Sequence, residues 1–232
     1  MNKALVALAA AMLAAAVGAA DAASERHSLP DGFVYLDVAI PDLVIDLRYA
    51  AAGNFVGRRI DGYRHAHAIL SAPAAAALAD VQAALRPFGL GVKVFDAYRP
   101  QQAVDHFVRW GQDLDDQRTK PDYYPDVAKQ DLFTEGYIAR RSGHSRGSTL
   151  DVTLVDTSGE GAVRELDMGS GFDFFGPVSW PDSRAVTPQQ RANRALLQLV
   201  MSAHGFVPYA QEWWHFTLSG EPYPDTYFDF PN

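Results

Sequence analysis

"STLDVTLVD", residues 148–156, decides how this chain is read. Leu150, Val152 and Leu154 alternate with Asp151 and Thr153, the period of two that gives a strand two distinct faces. The apolar set faces a core. Asp151, centred in the strand, is unfavourable by propensity and costly if buried without a partner. It must face water, pair with a cation or bind a metal. Just upstream, "SGHSRG" (142–147) places His144 in a turn between Gly143 and Gly147, where the backbone can fold back toward Asp151. From these residues alone, a solvated Asp on an edge strand beside a loop His is the plainer account.

Working outward, "GVKVFDAYRP" (91–100) predicts a strand at Val92–Phe95 that ends in a loop carrying Asp96, Tyr98 and Arg99. A helix follows over about 101–110. Another precedes it, with Ser71 as N-cap, Pro73 in its first turn, and Pro87 and Gly89 as its stop. A third begins after Thr187, carries apolar positions at Ala192, Leu196, Leu199, Val200 and Ala203, and ends at Gly205. "FVPY" and "EWWHFTL" (206–218) suggest a closing hairpin. Residues 33–50 suit strand and extended loop, 112–140 an irregular surface insertion, and 167–177 a Gly-punctuated loop. The pattern predicts a single α+β domain, with helices packed on a small, largely antiparallel sheet.

Length and composition agree. At 232 residues the chain can bury a core of its own, and a net charge of −8 argues against nucleic acid as a partner. The first residues have one positive charge, Lys3, then an apolar run from Ala4 to about Val17 and small residues to Ala22. This predicts an export signal over 1–22, cut after Ala20 or Ala22, with the domain at 23–232 and a periplasmic location. The run is too short for a comfortable membrane span, so no stable anchor is expected in the mature chain. There is no cysteine, so any metal must be held by His and carboxylate.

"EWWHF" (212–216) supplies such groups. Glu212 and His215 stand three apart, which on a regular strand means opposite faces, so a bend or bulge is needed if they share a site. Trp213 and Trp214 could wall it. An aromatic strand with a surface Glu and a core His is the alternative. Together, His144, Asp151 and His215 form a neutral-imidazole and carboxylate set suited to Zn²⁺, with Glu212 beside it as general base. Arg99, held by the following Pro100, could stabilise an oxyanion or simply pair with Asp96. The other five histidines, His27, His65, His67, His106 and His204, match no motif and read as surface or core residues.

With these pieces assembled, the chain resembles the zinc D-alanyl-D-alanine dipeptidases of the vancomycin-resistance (VanX) type. The resemblance runs from about residue 35 onward, through "DLRYAAAGNF" (46–55), "DAYRP" (96–100), "SGHSRGSTLDVTL" (142–154), "MGSGFDFF" (168–175) and "EWWHF" (212–216), in family order. It implies zinc on His144, Asp151 and His215, Glu212 as base, and Arg99 as the transition-state arginine. It also implies a substrate pocket at Tyr49, Ser142 and Asp173, with Asp173 selecting the free ammonium of a dipeptide. The expected reaction is hydrolysis of D-Ala-D-Ala. The runner-up is an exported D,D-carboxypeptidase trimming peptidoglycan stems, and a non-catalytic module binding wall peptides is the reading from another class.

Overall fold

The computed structural model describes residues 26–159 and 163–232. The expected export signal lies outside the described residues. The chain divides into two compact units, Met1–Asp31 and Gly32–Asn232. Within the first, residues 26–31 carry no helix or strand.

The second unit is the α+β domain. Its strands are β1 (Phe33–Tyr35), β2 (Val44–Ile45), β3 (Ile69–Ser71), β4 (Leu90–Asp96), β5 (Thr149–Asp156), β6 (Arg164–Glu165), β7 (Phe206–Tyr209) and β8 (Glu212–Leu218). Its helices are α1 (Leu36–Ala39), α2 (Ala72–Leu85), α3 (Gln101–Gln112), α4 (Lys120–Tyr123) and α5 (Pro188–Ala203). β1 and β3 form a ribbon, and the main sheet runs β2-β4-β5-β8-β7, with β6 on the far end of β5. Among the described residues, only β2 and β4 pair in parallel.

β5 is central, paired with β4 on one side and β8 on the other. This overturns the edge-strand account of Asp151, because both faces of β5 are buried from Thr149 to Val155. Leu150, Val152 and Leu154 join the hydrophobic core, each stabilising it by roughly 1.5–3 kcal/mol. Gly147, just before β5, has φ +83°, and a Cβ there would stand 2.2 Å from the Phe33 ring. Only glycine closes this turn without strain.

Three local expectations change. The Ser71 side chain does not cap α2; its hydroxyl instead bonds the Ser148 hydroxyl at 2.7 Å, tying β3 to the start of β5. α5 has the expected start, a reciprocal capping box between Thr187 and Gln190. Its buried face, however, is Asn193, Arg194, Leu197 and Met201, while Leu196 and Leu199 are exposed. Two polar side chains take core-facing positions because the loop before α5 offers them carbonyls. Asn193 donates to Asp167 O, and Arg194 donates to the carbonyls of Met168, Val178 and Trp180. The 112–140 segment is also less detached than its polarity suggests. Lys129 is buried, donates to the carbonyls of Asp113 and Asp116, and lies 3.9 Å from the Trp110 ring centre.

Candidate metal centre and its cavity

Sheet register builds the centre. Asp96 on β4 is the cross-strand partner of Asp151 on β5, and Asp151 is the partner of His215 on β8. Direct antiparallel partners point to the same face, so three ionisable side chains stand in a row across the sheet. Two irregularities align the row. The β4–β5 register shifts between Val94 and Asp96, and the β7–β8 register jumps so that Pro208 faces Phe216 while Tyr209 faces Glu212. That second bulge is the bend needed to bring Glu212 and His215 together. His144 enters from the 3-10 turn Gly143–Arg146, whose start is capped by the Ser142 hydroxyl accepting from His144 N–H.

Three candidate ligand atoms converge. His144 Nε2 is 3.3 Å from His215 Nδ1 and 3.4 Å from Asp151 Oδ1, and His215 Nδ1 is 3.0 Å from Asp151 Oδ1. Ligand atoms about 2.0–2.1 Å from a tetrahedral zinc stand about 3.3 Å from one another, so the triangle fits one face of that tetrahedron. The donor chemistry fits too. His144 Nδ1 donates to Ala97 O at 2.7 Å, which leaves Nε2 as a lone pair facing the other two groups. Burial opposes ionisation of Asp151, but the charges and hydrogen bonds of His144 and His215 outweigh it and hold the carboxyl below its usual range. Burial disfavours a charged His215, and the Asp151 hydrogen bond and charge overcome that and raise its pKa. Both shifts express the same demand for positive charge inside the triangle.

Glu212 Oε2 lies 3.6 Å from His215 Nδ1. Burial pushes its carboxyl up to about 7, with Asp151 adding to the rise and His215 and Arg99 opposing it. Arg99 donates through Nε to Asp96 Oδ2 at 2.9 Å, and its Nη2 stands 3.6 Å from Asp151 Oδ2. The guanidinium packs over the rings of Tyr49 and Phe107. The two readings of Arg99 are therefore compatible, since it pairs with Asp96 and still faces the cavity.

All eight residues singled out in the sequence line one cavity of about 220 Å³: Tyr49, Arg99, Ser142, His144, Asp151, Asp173, Glu212 and His215. Trp214 also lines it, whereas Trp213 bonds Ser170 through its indole N–H. Asp173 is 4% exposed, and the Tyr49 hydroxyl reaches its two carboxylate oxygens at 3.0 Å each. Burial raises the Asp173 pKa well above the usual carboxylate range, with Asp151 and Glu212 adding to it. Its backbone has φ +62°, the one described non-glycine residue in the left-handed region. Such strain persists only where the surroundings impose it. Arg194, through its bonds to the 168–180 loop, is part of that surrounding structure.

Two contributors were not legible as such. Asp96, weighed only as a partner for Arg99, is fully buried, accepts from Tyr63 O–H, and lies 3.4 Å from His144 Nδ1. Its place at a strand end, three residues before Arg99, is the signal that could have identified it. Arg194 had no signal, since nothing local marks an arginine as a clamp on a distant loop. The cavity's rim comes from residues 136–143 and Tyr209, and Arg141 stands there over the Tyr227 ring.

A family model described as D-ala-D-ala dipeptidase matches residues 30–232. The chain is 44% identical over 200 residues to the D-alanyl-D-alanine dipeptidase of Streptomyces coelicolor, covering 86% of this chain and 97% of that protein. It is 41% identical over 204 residues to the dipeptidase of the same name from Enterococcus faecalis, covering 87% and 98%. The Enterococcus faecium enzyme of that name is 37% identical over 202 residues, covering 86% and 98%.

Proposed function

This chain belongs to the D-ala-D-ala dipeptidase family, and on that premise we propose that its cavity hydrolyses D-alanyl-D-alanine to free D-alanine. The observation that carries the assignment to these residues is the triangle of His144, Asp151 and His215 opening into the cavity shared with Glu212 and Asp173. His144, Asp151 and His215 would hold zinc. When bound, the metal supplies Lewis acidity, which polarises a carbonyl and lowers the pKa of water to about 7.

The rest is the work of the chain's own side chains. Glu212, largely shielded from water and with its carboxyl pushed up to about 7, takes the proton of the attacking water and returns it to the leaving amine. Arg99, held by Asp96 and stacked on two rings, places fixed positive charge where the carbonyl oxygen becomes an oxyanion. Asp173, oriented by the Tyr49 hydroxyl, binds the substrate ammonium. Ser142 and Arg141 lie on the cavity wall and suit the substrate's carboxylate end.

Charge balance supports this division. Asp96, Asp151, Asp173 and Glu212 lie around one partly exposed guanidinium, Arg99, leaving three negative charges uncompensated if all four ionise. A divalent cation and a dipeptide ammonium bring three positive charges to these carboxylates, and Arg141 on the wall offsets the dipeptide's own carboxylate. Burial is the main cause of the raised pKa values of Asp96, Asp173 and Glu212, and the Asp151 carboxylate adds to the rise in each.

The cavity lies below the roughly 300–1,000 Å³ of drug-sized pockets. That favours a free dipeptide over the stem peptide of a carboxypeptidase, and the complete set of base, arginine and ligand residues disfavours a module that only binds. Peptidoglycan fragments remain the second class of substrate to test. The apolar run after Lys3 supports export to the periplasm, and among the described residues no helix is long and apolar enough to cross a membrane. The decisive experiment compares turnover of D-Ala-D-Ala, its N-acetyl derivative and a pentapeptide ending in D-Ala-D-Ala by the zinc-loaded protein. Cleavage of the free dipeptide alone is expected; equal cleavage of the blocked substrates would assign the enzyme to wall trimming. Cell fractionation with N-terminal sequencing of the mature chain tests export, and a chain recovered uncut in the cytoplasm would refute it.

A further inference from the structure

Residues 221–232 follow β8 as a strap without helix or strand, yet its last residue, Asn232, is fully buried. Several of its hydrogen bonds fall on the two loops that carry His144 and Arg99. Phe228 N–H donates to Ser145 O at 2.8 Å, and Phe228 O accepts from Gln101 N–H at 3.1 Å. A single residue therefore bridges the His144 turn and the start of α3. On the other flank of Arg99, the Phe230 ring stacks on Tyr98 at 4.0 Å, and its carbonyl accepts the Tyr98 hydroxyl at 3.0 Å. Asn232 Nδ2 donates to Tyr98 O at 3.1 Å, while Asn232 O accepts from the amides of Arg64 and His65.

The strap also completes a helix. Pro100 occupies the N-cap position of α3 and makes no side-chain capping bond. Its side chain has no acceptor to offer the first amides, which a helix leaves unpaired. Asp229 Oδ1 accepts from Gln102 N–H at 2.8 Å, so the cap comes from 127 residues away in sequence. Glu221, at the other end of the strap, pairs with Arg146 at 2.7 Å, beside the turn that holds His144.

We propose that this strap is a positioning element that fixes Arg99 relative to His144, with Asp229 as its capping residue. Both neighbours of Arg99 are held from outside: Tyr98 by Phe230 and Asn232, and the Pro100–Gln101 turn by Phe228 and Asp229. Between the two loops themselves, the His144 ring holds Ala97 O at 2.7 Å, but the backbone bond at Arg99 itself, Arg99 N–H to His144 O, is long at 3.4 Å. Without the strap the first turn of α3 frays and the Arg99 backbone shifts, while the Asp96 carboxylate still pairs with a guanidinium now set in the wrong place. The inference rests on the role given to Arg99 above.

The test compares Asp229→Ala and Asp229→Asn in the full chain, each alone and in an Arg99→Ala background. A misplacement of about 1 Å can cost about 10²-fold in rate, so a partial fraying predicts a kcat loss of about tenfold for Asp229→Ala with KM within twofold. Asn caps as well as Asp and restores the rate. In the Arg99→Ala background, Asp229→Ala causes no further loss. Independently of turnover, amide hydrogen exchange at Arg99, Gln101 and Gln102 accelerates in Asp229→Ala while that at residues 107–111 does not. Unchanged exchange at those three amides, an unchanged kcat, failure of Asn to rescue, or losses that add to those of Arg99→Ala would overturn the proposal. If the wild-type protein fails to turn over the dipeptide, the functional reading fails by itself, and the exchange result still decides whether the strap holds the Arg99 loop.

Discussion

Replacing Asp173 by Asn removes a charge and little else. The side chain keeps its size, Asn tolerates the left-handed backbone at φ +62° as readily as Asp, and its oxygen can still accept from the Tyr49 hydroxyl. What disappears is the attraction for the substrate ammonium. Two unit charges about 4 Å apart attract by about 4 kcal/mol at an effective dielectric of 20. Because Asp173 is buried, losing one partner of the pair falls in the range of about 2–5 kcal/mol. At 1.36 kcal/mol per decade this is a loss of about 30- to 5,000-fold in kcat/KM. Most of it should appear in KM, since the ammonium keeps its charge throughout and is bound alike before and during reaction. The assay measures D-alanine release from D-Ala-D-Ala and from N-acetyl-D-Ala-D-Ala. The wild-type protein should reject the acetylated substrate strongly, and the Asn variant should lose most of that discrimination, because a neutral amide no longer meets an unpaired carboxylate. A variant with kcat/KM within threefold of wild type and the same preference for a free amine would refute Asp173 as the ammonium site.

Glu212→Gln should lower kcat by about 10²–10⁴-fold while leaving zinc affinity, measured by chelator competition, within a few-fold of wild type. Since the base must be ionised, and a divalent cation beside it favours ionisation, the acid limb of kcat/KM should have its midpoint below the metal-free value of about 7; a midpoint above 7 would contradict the assignment. Zinc at about 1,000 times its Kd should raise unfolding free energy by about 4 kcal/mol, seen as a higher Tm, and His215→Ala should abolish most of that shift. Gly147→Ala forces a Cβ into a left-handed backbone and against Phe33. The backbone alone costs about 1–2 kcal/mol. Thermal denaturation should show a Tm lower by at least about 2 °C, and an unchanged Tm would mean the turn relaxes freely.

What the sequence carries is chemistry and period. Alternation over 149–155 is enough to read β5 as a strand, and Thr187-Pro188 marks the start of α5, because both signals depend on neighbours within a few residues. The motifs around His144, Asp151, Asp173, Glu212 and His215 likewise name the residues that meet in the cavity. Their local pattern is equally compatible with a solvated edge strand and a core histidine. Only pairing decides between them. Placing β5 between β4 and β8 buries Asp151 and puts Asp96 and His215 beside it, and the bulge in β8 turns Glu212 to the same side. The buried face of α5 differs from its apolar spacing for the same reason. Hydrophobic spacing assumes that cores are apolar, whereas Arg194 is buried because distant carbonyls at 168, 178 and 180 need a donor. The cap of α3 by Asp229 is a still longer reach. Short-range sterics and side-chain chemistry are written in consecutive residues. Register, bulges and long-range polar partners are set by which surfaces meet when the chain closes on itself, and those belong to the tertiary structure.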